Sequence, residues 1–119
     1  MVGVLPEFFQ VPGVYHPNLS DLEITPTMHI RKARMAQLAD AFIALPGGYG
    51  TLDEFFEIVT WSQIGIHHKP IGLLNLNGYY DALLQFTHTA RAQGFLREDP
   101  QKPYFMSAAT PIDLLKQLF

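Results

Sequence analysis

Short apolar runs alternate along this chain with longer segments whose apolar residues recur at helical spacing. The predicted strands are residues 1–6, 22–25, 41–45, 71–75 and 104–107. The predicted helices are residues 27–38, 52–63, 80–93 and a last one opened by Thr110 and Pro111. Strands separated by helices indicate βαβ units and a parallel sheet. We therefore expect an α/β fold, a Rossmann-like three-layer parallel sheet flanked by helices, as one domain over residues 1–119.

The predicted strands differ in how far neighbouring elements should cover their two faces and edges. The runs at 41–45 and 71–74 are apolar throughout, which is typical of strands covered on both faces. The opening strand, rich in Val and Leu, would form an edge that invites pairing with another strand. We expect a partner subunit or a preceding segment to pair there, so the fold is predicted to be N-terminally incomplete.

Composition narrows the class of protein and the kind of partner. Hydrophobic residues make up 48% and charged residues 16% of the chain, which favours a compact domain that self-associates. The net charge of -3, without a basic run, argues against a nucleic-acid partner. No cysteine is present, which excludes disulfides, thiolate metal sites and a cysteine nucleophile. Without an 18-residue apolar stretch or signal-peptide pattern, the prediction is a cytoplasmic protein with no membrane partner.

The segment from Pro46 to Glu54 carries the most specific chemistry. It reads Pro-Gly-Gly-Tyr-Gly-Thr-Leu-Asp-Glu, between a predicted strand and a predicted helix. This arrangement offers backbone N–H groups to an anion. We expect Gly47, Gly48 and Gly50 to be able to take positive φ and to let a ligand approach the main chain. A tight connection without a ligand is the alternative.

Two residues follow that turn with separate expected roles. Thr51 can cap the helix, and Glu54 would then lie one turn inside it on the same face. A carboxylate one turn from a phosphate cradle indicates chemistry beside the phosphate. Thr51 could also be a helix cap and nothing more.

Each of two helices places one charge on or beside an apolar stripe. Arg31 shares a face with Met28 and Met35, whereas Arg34 can turn outward; Glu54 shares a face with Ile58. Because an unpaired buried charge is costly, we expect Arg31 and Glu54 to meet or to flank one polar ligand. A purely structural ion pair between them is the alternative, and Phe55, Phe56 and Trp61 are expected in the core.

Two motifs in register resemble a known family. Met28-His29-Ile30-Arg31-Lys32 followed by the segment Pro46–Glu54 is similar to the paired signature of the Lonely Guy family. These are cytokinin riboside 5′-monophosphate phosphoribohydrolases, many of them labelled lysine decarboxylases. The 23 residues that separate Arg31 from Glu54 also match, and the similarity covers nearly the whole chain.

The resemblance implies a reaction and a set of site residues. Water would cleave the N-glycosidic bond of a nucleoside 5′-monophosphate, releasing ribose 5-phosphate and a free base, an N6-modified adenine in plant-like members. Arg31 and Glu54 would be the catalytic pair, with no metal and no cofactor, in a homodimer or higher homo-oligomer whose site lies near the subunit interface. The nucleotide would be bound by Lys32, Gly47, Gly48, Tyr49, Gly50, Thr51 and Thr60.

One departure from the family keeps other functions open. The family has about one more βαβ unit, with a second glycine-rich phosphate loop, ahead of the strand that matches residues 1–6. The chain is therefore expected to be the C-terminal portion of the family fold, and a nucleotide-binding or sensor module without turnover is the alternative function. A pyridoxal phosphate decarboxylase is disfavoured because Lys32 and Lys69 have no evident pyridinium partner. Metal binding at His67 and His68 is disfavoured by their adjacent spacing.

Overall fold

The computed structural model describes residues 2–6, 21–99 and 101–119. The strands are β1 (Val2–Pro6), β2 (Asp21–Thr25), β3 (Phe42–Ala44), β4 (Ile71–Leu74) and β5 (Met106–Ala108). The α-helices are α1 (Met28–Leu38), α2 (Tyr49–Gln63), α3 (Asp81–Ala92) and α4 (Pro111–Leu118). The chain divides into two compact units, Met1–Ala39 and Asp40–Phe119. The single domain over residues 1–119 stays a prediction.

The first unit pairs two parallel strands and carries one helix. β1 and β2 run in register from Val2↔Asp21 to Pro6↔Thr25. Thr27 caps α1: its side chain accepts a hydrogen bond of 3.2 Å from the Ile30 N–H. The large apolar side chains of α1 all remain partly exposed: Met28, Ile30, Met35 and Leu38.

The second unit is a three-stranded parallel sheet in the order β3-β4-β5. All four residues of β4 are buried, and alternate ones face opposite layers. Ile71 and Leu73 join a core with Phe55 of α2 and Tyr80, whereas Leu74 packs against Leu114 and Leu118 of α4. The α/β class with a parallel sheet between helices is therefore confirmed.

Several boundaries differ from the sequence prediction. Ile43 of the edge strand β3 is 42% exposed, so cover on both faces is confirmed for β4 but wrong for β3. The last strand begins at Met106 rather than residue 104, since Phe105 turns to pack against the core. Within the described ranges, no helix combines the length and the hydrophobicity that crossing a bilayer requires.

Candidate functional site

The glycine turn joins β3 to α2 and presents the start of that helix. Gly48 is the N-cap, and the first helical hydrogen bond runs from the Leu52 N–H to the Gly48 carbonyl (3.1 Å). The amides of Gly48, Tyr49, Gly50 and Thr51 therefore precede the ladder and have no acceptor within the helix. With the positive end of the helix dipole, they form a surface that favours an anion.

Two expectations about this turn were wrong. Gly47, Gly48 and Gly50 do not have positive φ, and Gly48 lies at φ −104°. Thr51 does not cap the helix, which begins at Tyr49 rather than at Leu52. Thr51 is its third residue, and Glu54 is the sixth, further from the helix start than expected.

The glycines serve close packing and open access instead of unusual dihedral angles. A Cβ at Gly47 would overlap the Thr51 side chain, whose Cβ and Cγ2 would be 2.8 and 3.2 Å away. A Cβ at Gly48 or Gly50 would meet no atom within 4 Å. Gly47 therefore allows the turn to fold onto Thr51, and the other two leave the main chain open to a ligand.

Two adjacent tyrosines hold the carbonyl side of the turn. The Tyr79 hydroxyl donates to the Gly47 carbonyl and the Tyr80 hydroxyl to the Leu45 carbonyl, both at 2.6 Å. Their rings meet edge to face, with centroids 4.8 Å apart. Tyr80 is only 3% exposed, and its burial raises the pKa of its hydroxyl, which therefore remains a protonated donor.

A hydrogen-bond network sets the position of these tyrosines. Asn75 follows β4, and its N–H donates to the Ala108 carbonyl at 2.8 Å, which ties it to β5. Its side chain accepts from the Tyr80 N–H (2.7 Å) and donates to Asp81 (2.8 Å) at the start of α3. Asn77 and Gly78, in the turn that leads from Asn75 to Tyr79, both have positive φ.

Sequence reasoning missed both tyrosines as site residues. They lie in the part of the chain that the wider family similarity covers, but no site role was predicted for them. One signal of such a role was present in the sequence. They follow β4, which neighbours β3 in a parallel sheet, and the carboxyl ends of such strands meet at the edge where ligands bind.

The remaining predicted residues of the second unit lie along α2. Glu54 is half-buried, and Thr60 is exposed in an open groove of about 470 Å³. Tyr49, Phe56 and Trp61 line the same groove. Phe55 is in the core as predicted, whereas Phe56 is 37% exposed, so its predicted core position is wrong. α2 therefore presents an aromatic surface beyond the glycine turn.

The first unit holds the predicted basic residues. Arg31 and Lys32 are half-buried on α1. Arg34, whose side chain is 35% exposed, pairs with Glu23 of β2 through Nε–Oε2 (2.6 Å) and Nη2–Oε1 (2.8 Å), and also donates to Gln37. The hydrogen bonds from Arg34 lower the pKa of Glu23, and the pKa of Arg34 is raised in turn. The convergence of Arg31 and Glu54 joins two units and stays a prediction.

Comparison with known proteins places the chain in a family. The family profile described as "Possible lysine decarboxylase" matches residues 1–118. The chain belongs to this family. Among family members it is 46% identical to rice (Oryza sativa subsp. japonica) "Cytokinin riboside 5'-monophosphate phosphoribohydrolase LOG", over 99% of this chain and 48% of that protein. It is 44% identical to Arabidopsis thaliana "Cytokinin riboside 5'-monophosphate phosphoribohydrolase LOG4", over 99% of this chain and 54% of that protein.

A further rice protein has the name "Probable cytokinin riboside 5'-monophosphate phosphoribohydrolase LOGL3". The chain is 45% identical to it, over 99% of this chain and 56% of that protein. The chain thus spans about half the length of the curated relatives it matches. The predicted resemblance to the Lonely Guy family is confirmed.

Replacement of Gly47 tests the packing of the turn. Gly47→Ala should destabilise the protein by about 1–3 kcal/mol, because the new Cβ would overlap Thr51. Gly50→Ala is the matched control, since its Cβ enters open space, and it should be neutral or stabilising by up to about 1 kcal/mol. Urea denaturation followed by circular dichroism measures both. Equal stability of Gly47→Ala and the unmodified protein would contradict this packing.

The Arg34–Glu23 pair should make stability depend on pH. Because the folded pKa of Glu23 lies below its ordinary value of 4.5, the pair stabilises above that value and ceases to do so as pH falls through the lowered pKa. Unmodified protein should therefore exceed Glu23→Gln in urea midpoint at about pH 7, and the difference should disappear towards about pH 3. In an Arg34→Gln background the same Glu23→Gln change should lose this pH dependence; its persistence there would exclude Arg34 as the cause.

Proposed function

We propose that this chain binds a nucleoside 5′-monophosphate and hydrolyses its N-glycosidic bond, releasing ribose 5-phosphate and a free base, an N6-modified adenine. The observation that carries the proposal is the glycine turn, with amides at the start of α2 and carbonyls bound by Tyr79 and Tyr80. This arrangement suits a phosphate that is bound and does not react. The substrate class, a nucleoside 5′-monophosphate, comes from the names of the relatives.

The spacing along α2 fits a nucleotide laid along the helix from its N-terminus. With a rise of about 1.5 Å per residue, Glu54 lies roughly 8 Å along the axis from Tyr49, and Thr60 roughly 16 Å. A phosphate at the helix start would therefore put the ribose at the axial level of Glu54, which lies beside the groove rather than in its lining. Thr60 would meet the distal, base end of the nucleotide, where Phe56 and Trp61 line the groove.

In the proposed reaction, water attacks the anomeric carbon as the bond from that carbon to the base nitrogen breaks. The bonding electrons leave with the base, which takes up a proton, and water becomes the anomeric hydroxyl after losing one. Glu54 would stabilise the positive charge that develops on the ribose and accept the proton from water. Binding of the phosphate by the turn holds the ribose in place during attack.

We also propose that Arg31 and Lys32 of α1 act on the same substrate, Arg31 as the catalytic partner of Glu54 and Lys32 in nucleotide binding. A guanidinium forms planar, paired hydrogen bonds with phosphate or hydroxyl groups. We further propose that the protein is a homodimer or a higher homo-oligomer. Exposed large apolar side chains support self-association: Tyr49, Phe95 and Phe119.

A product assay tests the proposal directly. The 119-residue chain is incubated with isopentenyladenosine monophosphate, AMP and the nucleoside isopentenyladenosine, and free base is measured by chromatography. We expect base from the nucleotides and far less from the nucleoside, which lacks the phosphate that the turn would bind. Calorimetric titration of AMP runs in parallel. Binding without base release would favour the sensor module. The proposal would be refuted if the chain neither bound the nucleotide nor released a base.

Substitution of Glu54 tests its role in turnover. Glu54→Gln keeps size and hydrogen-bonding capacity but removes the charge, so the rate of base release should fall by about 100-fold or more. Nucleotide affinity should change by only a few-fold. Glu57→Gln is the comparison variant: Glu57 lies one turn along α2, is also half-buried and lines the groove, and we expect a smaller loss of turnover there than in Glu54→Gln. An active Glu54→Gln variant would eliminate Glu54 as the catalytic carboxylate.

A further inference from the structure

The two tyrosines contact different kinds of peptide group. Tyr79 donates to the carbonyl of Gly47, and the N–H of that same peptide group belongs to Gly48. Tyr80 donates to the carbonyl of Leu45, whose peptide nitrogen belongs to Pro46 and carries no hydrogen. The two bonds have the same length but different consequences for the amides of the turn.

A peptide group is planar, and in the trans form its C=O and N–H point in opposite directions. The described residues contain no cis peptide bond. The hydroxyl of Tyr79, by holding the Gly47 carbonyl, therefore directs the Gly48 N–H away from the tyrosine pair. That amide is the first of the four that precede the hydrogen-bond ladder of α2. The hydroxyl of Tyr80 also interacts with the backbone N–H of Gly47, so it holds that amide on the tyrosine side of the turn and directs none toward a ligand.

The two side chains also differ in their contribution to packing. Tyr80 is a member of the core cluster, whereas Tyr79 is 56% exposed and outside it. Removal of the Tyr79 hydroxyl therefore costs little packing. Removal of the Tyr80 hydroxyl takes away a donor from a buried side chain and lowers stability.

We infer that Tyr79 is a positioning residue for phosphate binding: its hydroxyl fixes the Gly47–Gly48 peptide group so that the Gly48 N–H points at the 5′-phosphate. This role rests on the proposed function. Without the hydroxyl the peptide group can rotate, and the ligand must restore its orientation on binding. The loss of affinity is then bounded by the net strength of one hydrogen bond, about 2- to 10-fold.

The experiment compares Tyr79→Phe with Tyr80→Phe, which each remove one hydroxyl and keep the ring. In Tyr79→Phe, we expect the dissociation constant for ribose 5-phosphate and the KM for the nucleotide to rise about 2- to 10-fold. The kcat should stay within about twofold, because the reacting atoms are untouched. In Tyr80→Phe, the melting temperature should fall, with a smaller change in affinity than in Tyr79→Phe.

Amide NMR gives a readout that requires no ligand. We expect the Gly48 amide resonance of the free protein to shift in Tyr79→Phe and to respond less to ribose 5-phosphate than in the unmodified protein. An unchanged Gly48 resonance, or equal losses of affinity in the two variants, would overturn the inference while leaving the proposed function intact. No ribose 5-phosphate binding and no base release by the unmodified protein would refute the proposed function, and with it this role of Tyr79.

Discussion

The candidate site depends on a directional constraint in the glycine turn. A peptide group that presents its N–H to an anion must turn its carbonyl the other way, and that carbonyl needs a donor. Tyr79 supplies the donor at Gly47, and Tyr80 anchors the chain just ahead of the turn at Leu45. The proposed anion-binding surface at the start of α2 therefore depends as much on the two tyrosines that precede α3 as on the glycine motif.

The sheet makes this arrangement possible. β3 and β4 are parallel neighbours, so the residues that follow them emerge at the same edge. β4 is buried on both faces, with Gly72 so close to α4 that a Cβ there would lie 2.9 Å from Leu118. Asn75 directly follows this buried strand, is hydrogen-bonded to β5 through its N–H, and accepts a hydrogen bond from the Tyr80 N–H. The central strand and the glycine turn are thus connected by a few hydrogen bonds.

The sequence predicted the features that local chemistry determines. The alternation of strands and helices, the opening of the last helix by Thr110 and Pro111, and the buried run of β4 all follow from neighbouring residues, and all are confirmed. The start of α2 was missed because two glycines weaken the helix signal there. The hydroxyl groups that stabilise this turn also come from residues far away in the sequence. The bonds from Tyr79 and Tyr80 span 32 and 35 residues, and no hydrophobic period encodes contacts of that kind.

The ion pair with Glu23 distinguishes Arg34 from Arg31 and Lys32, the two cations of the family signature on α1. Three cations lie within four positions, and the pattern alone allowed Arg34 to turn outward without indicating a partner for it. Arg34 instead uses its guanidinium on both carboxylate oxygens of Glu23, a geometry that holds α1 against β2. A guanidinium bound in that way is a structural element rather than a ligand for substrate. Arg31 and Lys32 lie on this same helix, so the pair of Arg34 with Glu23 also limits how far α1 can rotate and displace them.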